Sequence, residues 1–98
     1  MRRKAKLYWI PKNEGGRGST PDMSPYRSPV RFLNTSTPPD GVTWDLKVEK
    51  ISNCASPNEY EVYVSFSNPE GPHQILVAGV EFELYEGHKT VARGRILA

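Results

Sequence analysis

A hydrophobic period of two constrains this chain more than any other feature. Tyr60, Val62, Val64 and Phe66 alternate with Glu61, Tyr63, Ser65 and Ser67. Successive side chains of a strand point to opposite faces, so this pattern buries one face and wets the other. Val42, Trp44, Leu46 and Val48 repeat it against Thr43, Asp45, Lys47 and Glu49. Val80, Phe82 and Leu84 do so against Glu81, Glu83 and Tyr85. Branched and aromatic residues at these positions favour a pleated, half-buried backbone. After Glu86-Gly87-His88 the chain resumes as Lys89 to Ile96, which reads as a hairpin with Gly87 at the positive φ of its turn. Ala5 to Lys12 and Val30 to Leu33 complete six strands, Leu7-Tyr8-Trp9-Ile10 being apolar on both faces. No helix is expected.

Between the first two strands runs a long segment, Asn13 to Ser28, with Gly15, Gly16, Gly18, Pro21 and Pro25. Those residues break helix and strand alike, and connections this long are commonly functional. The segment is expected to pack in order against the body, with Tyr26 at least partly buried. Further breaks fall at Thr37-Pro38-Pro39-Asp40-Gly41, at Ser52 to Asn58 and at Asn68-Pro69-Glu70-Gly71-Pro72. Short strands so punctuated predict an all-β fold, a small closed barrel or sandwich, because closure removes exposed edges. Trp44, Val62, Val64, Phe66, Phe82 and Leu84 are its expected core. The 98 residues suit one domain spanning 1–98.

Known chemistry finds little purchase. Glu14-Gly15-Gly16-Arg17-Gly18-Ser19-Thr20 lacks the lysine and following helix of a phosphate loop. Cys54 with His73 or His88 makes neither a nucleophile–base motif nor zinc spacing. Glu59, Glu61, Glu81, Glu83 and Glu86 alternate as a solvated strand face does. The expectation is no enzyme, no cofactor and no metal. A lone cysteine, no apolar run long enough to span a bilayer and no secretory signal point to the cytoplasm and away from a membrane. The acceptor pattern at Asn34-Thr35-Ser36 is therefore set aside. Net charge of +2 is mild, yet Arg2, Arg3, Lys4 and Lys6 open the chain while Arg93 and Arg95 nearly close it. If the end strands are neighbours, these form one basic patch. By parity Tyr63 and Tyr85 face outward, the best placed of the aromatics to stack on a ligand.

Glu14-Gly15-Gly16-Arg17, then Pro21, Tyr26-Arg27, Pro29 and Phe32, resembles the opening of the C-terminal barrel domain of the bacterial elongation factor Tu family. Tyr85-Glu86-Gly87-His88-Lys89-Thr90-Val91-Ala92-Arg93-Gly94 is similar to that domain's last hairpin. The resemblance implies a six-stranded antiparallel β-barrel. In that family the domain docks on a GTPase domain and helps grip the T stem of transfer RNA. Carried onto this chain, Glu86 and Gly87 match the hairpin that touches the T stem, while Glu14 and Arg17 match the interdomain surface. The chain departs from the pattern at Val30, at Asn34 to Pro39 and at His88, and no GTPase domain is expected in it. The expected function is a non-catalytic module that docks a protein partner, a GTPase or a toxin, through the 13–28 loop and last hairpin. Its site residues are Glu14, Arg17, Tyr26, Arg27, Glu86, Gly87, Arg93 and Arg95. The alternatives are a module that binds RNA as the T stem is bound, or an adaptor or immunity protein that mimics the elongation-factor surface.

Overall fold

The computed structural model of the protein describes residues 2–34, 44–54 and 56–97. Six strands form, β1 (Arg3–Trp9), β2 (Tyr26–Phe32), β3 (Asp45–Asn53), β4 (Glu59–Phe66), β5 (Glu81–Glu86) and β6 (Lys89–Ile96). They close into a barrel in the order β1-β4-β3-β2-β5-β6, every pair antiparallel. The helical pieces among the described residues are two single 3-10 turns, Lys12–Glu14 and His73–Ile75. The fold is all-β, a closed six-stranded antiparallel barrel.

Alternation places the core as the period of two requires. Ala5, Leu7 and Trp9 of β1, Leu46 and Val48 of β3, Val62 and Val64 of β4, and Phe82 and Leu84 of β5 all point inward and are buried. Phe32 links two aromatic neighbours, its ring 6.1 Å from that of Phe66 and 6.4 Å from that of Phe82. β6 needs a small residue where it crosses Phe82. A Cβ added at Gly94 would lie 2.2 Å from that ring, so the glycine makes room for the largest fully buried side chain.

Several boundaries differ from the pattern-based reading. β1 stops at Trp9 rather than Lys12, because Ile10 and Pro11 turn into the 3-10 turn. β2 begins at Tyr26, four residues before Val30, and runs through Pro29. A proline lacks the N–H a ladder needs. Here it falls where β2 changes partner: pairing with β3 ends at Pro29, and pairing with β5 begins at Val30. The Ser28 hydroxyl donates to the Tyr85 carbonyl at 3.0 Å, bridging to β5 just before its ladder begins. β3 extends to Asn53 across a register shift between Lys50 and Ser52, so the break expected at Ser52 comes later. Trp44 precedes β3 and is only half-buried, set edge-on to Phe66 at 6.2 Å. Val42 and the break at 37–41 lie outside the described residues.

The Gly94–Phe82 contact gives a double-mutant test. Gly94→Ala overpacks the ring and is expected to cost about 1–3 kcal/mol, and Phe82→Ala about 3–5 kcal/mol. In a Phe82→Leu background the Gly94→Ala penalty should shrink, as chemical denaturation of the four proteins will read. Equal penalties in both backgrounds would refute the contact.

Candidate functional site

The antiparallel order brings the C-terminus of β1, the N-terminus of β2 and the β5–β6 hairpin to one end of the barrel. The connection 10–25 covers that end. It is pinned in three ways, each traceable to particular residues. Its start folds back on itself: Gly16 N–H donates to the Pro11 carbonyl at 3.0 Å, Gly15 takes φ 93°, and Pro11 bridges Arg17. A Cβ on Gly16 would lie 1.8 Å from the Ile10 carbonyl oxygen, so only glycine allows the fold-back.

Its middle is plugged into the core. Met23 is buried, its Sδ accepts a hydrogen bond from Trp9 Nε1 at 3.4 Å, and its carbonyl accepts the Lys50 N–H at 3.0 Å. A thioether adapts to an irregular gap and is a weak acceptor, so Met23 satisfies the indole while sealing the barrel. The Trp9 ring in turn lies edge-on to Tyr26 at 5.2 Å.

Its third anchor is polar and crosses to the last hairpin. Glu86 Oε2 accepts the Arg17 guanidinium at 2.7 Å and the Tyr26 hydroxyl at 2.5 Å. One carboxylate oxygen thus ties together groups 60 and 69 residues away in sequence. Burial and the bond to Glu86 push the Tyr26 phenol up to about 12. Nearby, Tyr8 donates to Glu14 at 3.0 Å, and that bond raises the Tyr8 phenol. The hairpin turns tightly because Gly87 takes φ 63° as the first of two central residues, an arrangement glycine tolerates best.

Of the expected site residues the structure unites Arg17, Tyr26 and Glu86, with Gly87 beside Glu86 and Glu14 on the same connection. Arg27, Arg93 and Arg95 do not join them. Arg27 stands outside the wall opposite Lys47, and Arg93 and Arg95 stand on the outer face of β6. There the two ends of the chain do meet, since Lys6 pairs with Arg95 and Tyr8 with Arg93. Arg3 alternates inward and is half-buried, so it leaves this group. Glu83 contacts Arg31 at 3.1 Å and Arg93 at 3.7 Å, which neutralises part of the basic face. Tyr63 and Tyr85 face outward but are half-buried. The Arg2 guanidinium lies 4.0 Å from the Tyr63 ring centre and that of Arg31 5.9 Å from Tyr85, so the protein's own cations occupy the stacking positions.

Met23, which anchors the connection, belongs to no motif of the chain. It is the one aliphatic side chain between Asn13 and Pro25, a signal that the segment dips into the core. Among the described residues no three histidine, cysteine or carboxylate groups gather closely enough to hold a metal ion, and no helix is long and apolar enough to cross a membrane. No protein-family model matches this chain, and no curated protein matches it.

The tyrosine titration offers a direct check. In the folded protein Tyr26 keeps its proton to about 12, against 10.0 ordinarily. The stability it lends is therefore full below pH 10 and is lost as the pH rises through 12. Phenolate absorbance should show Tyr26 titrating late, an effect abolished by Tyr26→Phe and reduced, not erased, by Glu86→Gln, since burial remains. Glu86→Ala is expected to cost about 1 kcal/mol at neutral pH, the anchor being partly exposed to water. A late titration untouched by Glu86→Gln would exclude the bond.

Proposed function

We propose that the protein is a non-catalytic macromolecule-binding module that docks a protein partner at the end formed by the 13–28 segment and the β5–β6 hairpin. The observation that carries this reading is the Arg17–Glu86–Tyr26 cluster. β1 and β2 stand opposite each other in the barrel order, and the long segment that crosses between them is tied by charge-assisted bonds to a hairpin distant in sequence. Preorganised loops lose little conformational entropy on binding, which is the physical gain of such anchoring. Lys12, Asn13, Glu14, Ser19 and Asp22 remain exposed on it, a polar rim around the anchor. The resemblance to the elongation factor Tu barrel, together with the six-stranded architecture, supports a GTPase-type partner.

A second reading, RNA binding, is favoured by one specific observation. The pairing of β1 with β6 sets Lys4, Lys6, Arg93 and Arg95 on adjoining strands of one outer face. Against it, Glu83 engages Arg93, so that one of the four cations is already paired.

Two measurements decide between them. Mixed with the isolated GTPase domain of an elongation factor Tu, the protein is expected to sediment as a complex that Arg17→Ala weakens about tenfold by releasing the loop. If no complex forms, a partner of that class is excluded. Binding to bulk transfer RNA is expected to be absent at low salt. An affinity that instead falls on the order of a hundredfold between 50 and 200 mM salt, as about three to five phosphate contacts demand, and that needs Arg93 and Arg95, would give the function to RNA.

A further inference from the structure

The opposite end of the barrel carries a different surface. There the C-termini of β2 and β6 and the N-terminus of β5 converge. Backbone bonds knit the emerging segments: Leu33 N–H to the Glu81 carbonyl, Gly79 N–H to Ile96, and Leu97 N–H to Lys4, each at 2.9 Å. The Asn34 side chain adds bonds to the Gly79 carbonyl at 3.0 Å and the Glu81 N–H at 2.7 Å. Despite this order, three aliphatic side chains of these segments stay in water, Leu33 at 50%, Val77 at 52% and Leu97 at 39% exposure.

Of the three, Leu97 lines an open groove of 540 Å³, together with Ala78, Gly79 and the little of Ile96 that reaches the surface, with Lys6 and Arg95 on its wall. Lys6 and Arg95 are directly opposed across β1 and β6. Like charges in that arrangement repel and destabilise a sheet. Each also faces a glutamate on its far side, Glu61 and Glu81, but among the described residues neither cation has a carboxylate within 4.0 Å. An anion seated between them converts the repulsion into attraction.

We propose that this groove binds an extended acidic and apolar peptide segment of a partner protein, its carboxylate bridging Lys6 and Arg95 and an adjacent aliphatic or aromatic side chain lying over Ala78 and Leu97. Charge complementarity selects the occupant's sign, and the apolar lining selects its class. A phosphodiester chain meets the cations but leaves the lining unfilled. Strand addition is closed off, because the Gly79, Ile96 and Leu97 N–H groups are already bonded within the barrel. The volume suits a few side chains rather than one small ion. The surface lies at the far end from the loop and hairpin, so it stands independently of the docking reading above.

The test is selection of short random peptides displayed on phage against the intact protein, followed by fluorescence polarisation with the enriched peptides. Enriched sequences are expected to combine carboxylates with large apolar residues. Lys6→Ala with Arg95→Ala should weaken them on the order of tenfold, as should Leu97→Ser, while Arg17→Ala leaves them unchanged. Lys6, Arg95 and Leu97 are exposed and Arg17 is partly buried, and thermal melts of each variant will verify that it folds. No enrichment, enrichment indifferent to Lys6 and Arg95, equal binding of peptides whose apolar residues are replaced by serine, or competition by single-stranded RNA would each overturn the proposal. So would self-association of the wild-type protein lost with Leu97→Ser, since a second copy would then be the occupant.

Discussion

Closure of the sheet through β1 is the constraint on which the rest of the structure depends. β1 pairs with β4 on one side and β6 on the other, so the first strand is the seam that leaves the barrel without a free long edge. A buried backbone must satisfy its N–H and C=O groups, and six short strands do so only by completing the circle. Because the circle is narrow, the interior must be filled with little tolerance. Phe82 fits only because Gly94 crosses it, and Met23 is drawn from the long connection to seal the open end.

The same closure sets the two surfaces with functional character. At one end the 10–25 connection is held by a carboxylate on the last hairpin, and the bonds that Arg17 and Tyr26 give to one oxygen of Glu86 are short because the acceptor is charged. A single such pair in water contributes little to stability. Its consequence is geometric: loop and hairpin present one fixed relief. At the other end the knitted segments leave Leu33, Val77 and Leu97 exposed, Leu97 beside the two opposed cations. Of the exposed large aliphatic side chains among the described residues, Leu33, Val77 and Leu97 lie at that end and Ile51 of β3 lies elsewhere.

Much of this was legible in the chain. The inward sets at Val62, Val64 and Phe66 and at Phe82 and Leu84 follow from alternation alone, and the Gly87 turn follows from turn chemistry. The start of β2 at Tyr26 was not legible, because the strand runs through Pro29, which has no N–H for a ladder, and the change of partner that accommodates it is not written locally. For the candidate site, Arg17, Tyr26 and Glu86 could each be singled out, but so could Arg27, Arg93 and Arg95, which the fold places elsewhere. Parity told that Tyr63 and Tyr85 face outward, but not that Arg2 and Arg31 cover them.

What the sequence by itself determined was the class of element, the inward face of the clearly alternating strands β3, β4 and β5, and the turn at Gly87. Those properties arise from neighbours within a few residues, through the pleat of an extended backbone and the φ freedom of glycine. Only the tertiary structure decided which strands meet, and hence that Glu86 receives Arg17 and Tyr26, that Met23 reaches Trp9, and that Lys6 confronts Arg95. These contacts join residues far apart in the chain. They exist because closing the barrel is the arrangement that pairs the strands and fills the core, a condition that no local pattern of residues encodes.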